Sequence, residues 1–586
     1  MFSLRLALSL AFATSWTFAS PMDASTLFTR QQKANATTCA TNNGIDPSSI
    51  QPSLYTENYR PQIHFSPSTG FMNDPNGLVK SGDTWHMYFQ YNPNATVAGF
   101  QHWGHATSKD LYTWQNHLPS IAPNSTDEGI FSGSAVLDVN NTSGFFNDST
   151  PAESRFVAIY TLNTKTDQNQ NIAYSTDGQN YTKYSGNPVI TLNTTQFRDP
   201  KVFWDEQESR WVMAVSHSQD FQIGFYASTN LREWNEVSRF GPSGILGYQY
   251  ECPDLLQVPI SGGEKDGQKA WVLVLSINPG APLGGSFVQA FIGDWDGTNF
   301  KPWDGSTQIV DFGKDFYAAQ TFYNAPNDQA ILIGWASNWQ YTNVVPTSPW
   351  RSSMTIPRQM TVRYIDMNPM HKGYQVTMQP YGLESLQKQS LTSSNSSNSS
   401  NSTTPSTADI VAPVARQMND NTTSSNGNQT VSLDGNGAFE ILANLSYPST
   451  NYSVNPRAEF RISTSNQGEY LNIGILYGDP TLVYVDRRFA GRAWSDSNPL
   501  FTDRFSQQFH PITIQNSTTQ IVRVQLIVDR MQSEVFVQDG VASASILHFW
   551  DNDAKPSSLS VGLGDDQIKL DSLQVNAINS TWPTCP

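Results

Sequence analysis

Ser108-Lys109-Asp110-Leu111-Tyr112-Thr113-Trp114 is the first copy of a short pattern that recurs along this chain. Ser175-Thr176-Asp177-Gly178-Gln179-Asn180-Tyr181 and Ser228-Thr229-Asn230-Leu231-Arg232-Glu233-Trp234 repeat it, and Asp294-Trp295-Asp296-Gly297-Thr298-Asn299-Phe300 is a fainter fourth copy. Each reads as a turn that closes on an aromatic, because Ser, Asp and Asn side chains hydrogen-bond the backbone just ahead of them. Intervals of roughly 50 to 70 residues suit four-stranded β-propeller blades with long loops. Unrelated turns ahead of aromatics would leave the same residues, so the repeat alone keeps both readings open.

Short strand patterns fill the intervals: Ala158-Ile159-Tyr160, Trp211 to Val215 and Trp271 to Leu275. Convincing helical periodicity is absent from Tyr55 to about Leu386, so this stretch reads as all-β. A Ser-, Asn- and Thr-rich segment follows over 387–408, with N-glycosylation sequons at Asn395, Asn398 and Asn401. It has nothing to bury, and it reads as a glycosylated linker. Beyond it, over 409–586, alternating patterns begin at Phe439, Ala458, Val522 and Val535. Alternation broken by turns every 8–12 residues or so is the mark of a β-sandwich.

The N-terminus carries Arg5, an apolar run from Leu6 to Phe18 and small residues near Ala19. Residues 1–19 therefore read as a secretory signal peptide, too short for a convincing membrane span. Residues 20–54, rich in Ser, Thr, Asn and Gln, read as a loose extension. More than a dozen Asn-x-Ser/Thr sequons, among them Asn35, Asn94, Asn124, Asn193, Asn428 and Asn579, fit a secreted glycoprotein, extracellular or held at the cell wall.

Formal net charge is −16 with a sequence pI of about 4.9. Such an acidic chain argues against nucleic acid or an anionic membrane as partner and is compatible with a neutral sugar. Its 16 Trp and 23 Tyr suit sugar stacking and a large β core equally. Three cysteines make no disulfide scaffold. Cys252 reads as a free, packed thiol, while Cys39 and Cys585 could pair or remain free.

Three carboxylates stand in rigid settings. Asp74 lies in Phe71-Met72-Asn73-Asp74-Pro75-Asn76-Gly77, which reads as a tight turn just ahead of the strand Trp85 to Tyr91. Asp199 lies in Phe197-Arg198-Asp199-Pro200, and Glu251 in Tyr250-Glu251-Cys252-Pro253-Asp254. Arg198 offers Asp199 a planar cation that would keep it ionised. Neither this set nor Asp294-Trp-Asp-Gly has convincing metal-ligand spacing, so no metal and no cofactor is expected.

With Phe131-Ser132-Gly133-Ser134 these motifs, in this order, resemble glycoside hydrolase family 32, and the secreted fungal members most. Further stretches share the likeness: Gly247 to Pro253, Ile277 to Pro282, Asp311 to Ala318 and Trp335 to Trp339. The resemblance is dense from Tyr59 to Arg358 and thin beyond Glu440. It implies a five-bladed β-propeller over 55–386 with the sandwich packed on it, and a homodimer surface on the sandwich. It implies a retaining, exo-acting β-fructofuranosidase that acts on sucrose and fructans. Asp74 would be the nucleophile, Glu251 the acid/base, and Asp199 the group that holds fructosyl hydroxyls in the transition state. Glu251 would then need a pKa raised by burial and neighbouring negative charge. Asn73, Gln90, Trp103, Phe131, Ser132, Arg198, Tyr317 and Trp335 would hold or wall the sugar. Two positions depart from the pattern. Phe71 stands where the family has Trp, and Ala98 stands where the yeast members carry another. A fructosyltransferase using the same residues, or a sugar-binding protein without activity, are the rival readings.

Overall fold

The computed structural model describes residues 55–368, 371–392, 429–448, 456–514 and 517–582. The leader, the extension, Cys39, Cys585 and most of the 387–408 segment lie outside these ranges.

The four turn repeats all occupy one structural position, between the third and fourth strands of successive antiparallel sheets. Ser108 Oγ accepts the amides of Asp110 and Leu111, Asp110 Oδ1 accepts those of Tyr112 and Thr113, and the Trp114 indole returns to the Leu111 carbonyl. Ser228, Asn230 and Trp234 repeat four of these five bonds. In the second copy Ser175 and Asp177 do so, and in the fourth Asp296 accepts the amides of Thr298 and Asn299.

Blade I comprises Gly70–Ser81, Thr84–Asn92, His102–Ser108 and Trp114–Ile121. Blade II comprises Gly129–Leu137, Phe156–Asn163, Gln168–Ser175 and Thr182–Lys183, and blade III Phe197–Asp205, Arg210–His217, Gln222–Ser228 and Asn235–Phe240. Blade IV is Tyr250–Ser261, Lys269–Ile277, Phe287–Trp295 and Phe300–Pro302; blade V is Tyr317–Thr321, Ala330–Ala336, Arg358–Asn368 and His371–Pro380. A short parallel pairing, Ile260 with Val362 and Ser261 with Arg363, ties blade IV to blade V. The first strands of the five blades neighbour one another in a closed ring. This is a five-bladed β-propeller.

Two further sheets face each other as a β-sandwich over a core that includes Phe439, Ile441, Phe460, Ile473, Val485, Leu526 and Val535. Arg457–Ser463 shows the expected alternation, with Ala458, Phe460 and Ile462 turned inward. Lys388–Ser390, within the segment read as linker, pairs with Lys569–Ile578 as an edge strand of the sandwich.

Propeller and sandwich meet through buried ions. Arg358 of blade V reaches Glu534 Oε2 and, at 2.7 Å, Asp311 Oδ2. His64 lies between Asp529 (2.9 Å) and Glu534 (3.2 Å), and Arg487 pairs with Asp315 at 2.7 Å. All these side chains are essentially inaccessible. Two acids flanking one imidazole outweigh its desolvation and raise the His64 pKa to about 9.

Candidate active site

All five innermost strands break register near one end of the ring. The breaks fall between Met72 and Pro75, Ile130 and Gly133, Arg198 and Lys201, Glu251 and Asp254, and Tyr317 and Gln320. A bulge leaves ladder groups unpaired and re-aims the side chain it carries. It is also where a strand tolerates proline, and Pro75, Pro200 and Pro253 each sit in one. The segment around Asp74 is therefore no turn ahead of a strand but the bulged first half of Gly70–Ser81 itself. Gly77 carries the left-handed φ of +52°, and a Cβ there would meet the Tyr88 ring at 2.7 Å. Asp199 (φ 66°), Cys252 (φ 49°) and Ala318 (φ 49°) are non-glycine residues held left-handed at three of the bulges. Such backbone costs on the order of 1–3 kcal/mol each and persists where the surroundings enforce it.

The bulges bring the three acids together at Cys252. Its Sγ lies 3.6 Å from Asp74 Oδ2 and 3.6 Å from Asp199 Oδ2, and its N–H donates to Asp199 Oδ2 at 3.0 Å. Glu251 is the preceding residue. Asp74 accepts from the Ser132 hydroxyl at 2.6 Å and from the Asn73 amide at 3.1 Å. Gly133, next to Ser132 in the bulge, has no room for a side chain: a Cβ there would lie 2.0 Å from the Ile159 carbonyl oxygen on the neighbouring strand of the same blade. Asp199 is steadied from behind, its N–H donating to Thr161 Oγ1 at 3.1 Å.

Arg198 does not pair with Asp199. Its Nε and Nη2 both grip Glu251 Oε1, at 3.1 and 3.0 Å, while Tyr317 donates to Glu251 Oε2. Gln168 and Gln196 hold the remaining guanidinium edge. Burial raises the pKa of Asp74, against the pull of the Ser132 and Asn73 hydrogen bonds, and Glu251 adds to the rise. Asp199 is raised to about 7, first by burial, with Glu251 and Asp74 adding to it and Arg198 opposing. The Cys252 thiol, buried between acids, is held well above its ordinary value, so it stands protonated. Glu251, the most open of the three acids, is the one held by a cation.

The other residues singled out from sequence divide into two groups. Asn73, Ser132, Arg198 and Tyr317 touch the acids directly, and Phe131 is half-exposed beside Ser132. Gln90, Trp103 and Trp335 stand behind the surface. Gln90 donates to the Ile130 carbonyl (3.0 Å), and Trp103 to the Phe131 carbonyl (3.0 Å). Trp335 bonds Ser352 Oγ and packs against Phe71, Tyr317 and Trp339. Trp339, half-buried against fully buried Trp335, is the more exposed of the two, and sequence reasoning passed it over in favour of Trp335. Gln168 and Thr161 were also missed; no local signal marks them. Of the departures, Phe71 is buried behind Trp339, and Ala98 is half-exposed with its N–H on Asn343 Oδ1 at 3.0 Å. Among the described residues no cluster of His, Cys, Asp and Glu could hold a metal ion.

The chain matches the models for the glycosyl hydrolases family 32 N-terminal domain over residues 64–380 and C-terminal domain over 383–577. It is 40% identical over 539 residues to an invertase of Schizosaccharomyces pombe, covering 90% of this chain and 86% of that one. It is 39% identical to an extracellular exo-inulinase of Meyerozyma guilliermondii, covering 90% and 96%. The fold superposes with a TM-score of 0.77 on the β-fructofuranosidase of Schwanniomyces occidentalis complexed with fructosyl-erythritol, at 35% identity over 91% of this chain and 100% of that one. An exo-inulinase of Aspergillus awamori gives 0.74 at 30% identity, covering 90% and 100%.

Proposed function

The chain belongs to glycoside hydrolase family 32, and we infer from that membership and from its bulge-borne acids that it is a β-fructofuranosidase hydrolysing sucrose and fructans. The observation that carries the catalytic assignment is the meeting of Asp74, Asp199 and Glu251, from three blades, around one buried thiol. In this reading the Asp74 carboxylate attacks the anomeric carbon of the terminal fructosyl unit. Glu251 gives its proton to the glycosidic oxygen, and the C–O bond breaks with its electrons on the leaving sugar. Glu251, now a carboxylate, then takes a proton from water as that water displaces Asp74, so configuration is retained. Asp199 faces the same pocket and is suited to hold fructosyl hydroxyls while positive charge develops on the ring.

The free pocket crowds three acids, which raises the cost of ionising the aspartates, and the oxocarbenium-like transition state supplies the positive charge that this crowding lacks. Ser132 and Asn73 keep Asp74 available as a nucleophile. Secretion is part of the same reading. The apolar leader supports it, as do sequon asparagines Asn94, Asn124, Asn193 and Asn579, all exposed. The test is product analysis after incubation with sucrose. Equal free glucose and fructose identifies hydrolysis; a fructose deficit with new oligosaccharides identifies transfer. Asp74→Asn and Glu251→Gln should each lose most turnover while staying folded, since acid–base assistance alone is worth about 10²- to 10⁴-fold.

A further inference from the structure

The innermost strands run from the carboxylate end of the ring toward the other end, and there a second cavity of about 570 Å³ opens between blades III, IV and V. Its floor is a buried polar knot. Lys201 Nζ donates to the Thr321 carbonyl at 2.6 Å and pairs with Asp254 Oδ2 at 3.1 Å. The Thr321 N–H and hydroxyl fill the same oxygen, both at 2.8 Å. Asp254 Oδ1 has no hydrogen-bond partner, although the residue is only 1% exposed. A buried carboxylate oxygen lacking a donor is costly, and Asp254 is among the residues that line the cavity. Asp254 lies beyond Glu251 on the same strand, across the bulge, and its hydrogen bonds go to Thr321 and Lys201 rather than to any of the three acids, so the knot belongs to a different site.

The walls restrict what that occupant can be. Phe203, Trp204, Trp271 and Tyr323 are half-buried, with Phe203 and Trp271 rings 5.3 Å apart. Exposed Gln207 and Gln257 stand at the rim. Lys269, the other lysine of the lining, is held by Asp328 at 2.9 Å, and Glu206 adds negative charge, so an anion is disfavoured. Among the described residues no acid cluster could ligate a metal. Exposed aromatic faces, amides and a carboxylate oxygen wanting a donor suit a neutral polyhydroxylated ligand.

We propose that this cavity is a second, non-catalytic saccharide site that takes a neutral fructan chain. The proposal rests on the β-fructofuranosidase reading above. Such a site would hold a polymeric substrate on the protein between successive cleavages and do nothing for sucrose.

The test uses the full chain carrying Glu251→Gln, run by affinity electrophoresis through gels containing soluble inulin. Retardation by inulin is expected. Adding Trp271→Ala should weaken it about five- to tenfold, the worth of one stacked aromatic, and adding Gln207→Ala, at an exposed position, should weaken it to a lesser degree. In the chain that keeps Glu251, both changes should raise KM for inulin and leave kcat/KM for sucrose unaltered. The sucrose value also reports folding; if Trp271→Ala loses it, Gln207→Ala decides. Retardation that is absent, or equal in parent and variants, overturns the proposal. A chain that keeps Glu251 and binds inulin yet does not cleave sucrose would sink the functional reading and leave the second site standing.

Discussion

Replacing Ser132 with alanine tests how the pocket keeps its nucleophile charged. Ser132 Oγ sits 2.6 Å from Asp74 Oδ2, both groups are buried, and burial pushes the Asp74 pKa upward. A hydrogen bond to a charged group is worth about 1.5–3 kcal/mol, and one pKa unit is about 1.36 kcal/mol. Removing the hydroxyl therefore raises the Asp74 pKa by about one to two units, less whatever a water in the vacated space restores. Activity needs Asp74 ionised, so the acidic limb of kcat/KM for sucrose should move to higher pH by about one unit. The basic limb should stay where it is. The assay is initial-rate kinetics from pH 3 to about 8, with Ser132→Thr as a hydroxyl-retaining control that should restore the wild-type limb. An acidic limb that stays in place, or moves to lower pH, would refute the view that Ser132 holds Asp74 in its ionised form.

Other outcomes follow from the same geometry. Asp199 carries a pKa raised to about 7, so its charge costs nothing below the ordinary carboxylate range, costs progressively more as pH rises toward 7, and costs most above it. Asp199→Asn should accordingly raise Tm at pH 7.5 and leave it nearly unchanged at pH 4, while activity falls. His64 gives the same direction of pH dependence from a charge that stabilises: its contribution is full below about pH 6.5 and is lost as pH rises through about 9. Calorimetry should show Tm of the wild-type chain declining across that window, and a His64→Gln chain, already less stable at pH 6, should decline less. Arg358→Met strands Glu534 and Asp311 in the interface and should cost about 3–5 kcal/mol in denaturant unfolding. At half-exposed Ala98, Ala98→Trp should lower KM for sucrose by about five- to tenfold if an aromatic stacks there; an unchanged KM and product ratio would show that position 98 does not face substrate.

The three acids stood out because each lies one or two positions before a proline in an otherwise strand-like run. That chemistry reads as a turn in isolation, and it is why the segment around Asp74 was expected ahead of a strand rather than inside one. Proline in an innermost strand contradicts ordinary strand rules unless a bulge accompanies it, and the bulge is imposed by the closed ring, which no local window contains. The turn repeat was legible because its hydrogen bonds are local, from Ser and Asp to amides two and three residues on. The partner of Arg198 was not. Sequence neighbourhood favoured Asp199, but in a strand successive side chains point apart, and Glu251 from the next blade meets the guanidinium instead. The His64, Arg358, Asp529 and Glu534 cluster was invisible for a related reason, since its members are separated by up to 470 positions. Trp103 and Trp335 show the limit for aromatics: sequence cannot tell a wall of the pocket from the residue packed behind it.

The central claim is that Asp74 attacks the fructosyl carbon. It is tested most directly by treating the Glu251→Gln chain with β-D-fructofuranosyl fluoride, whose leaving group needs no proton from the enzyme. Attack then proceeds while the base that would activate water is missing, so the covalent intermediate accumulates. Denaturation at low pH, proteolysis and mass mapping should find one fructosyl unit on the peptide that contains Asp74. No adduct, or an adduct on the peptide of Asp199, would contradict the account.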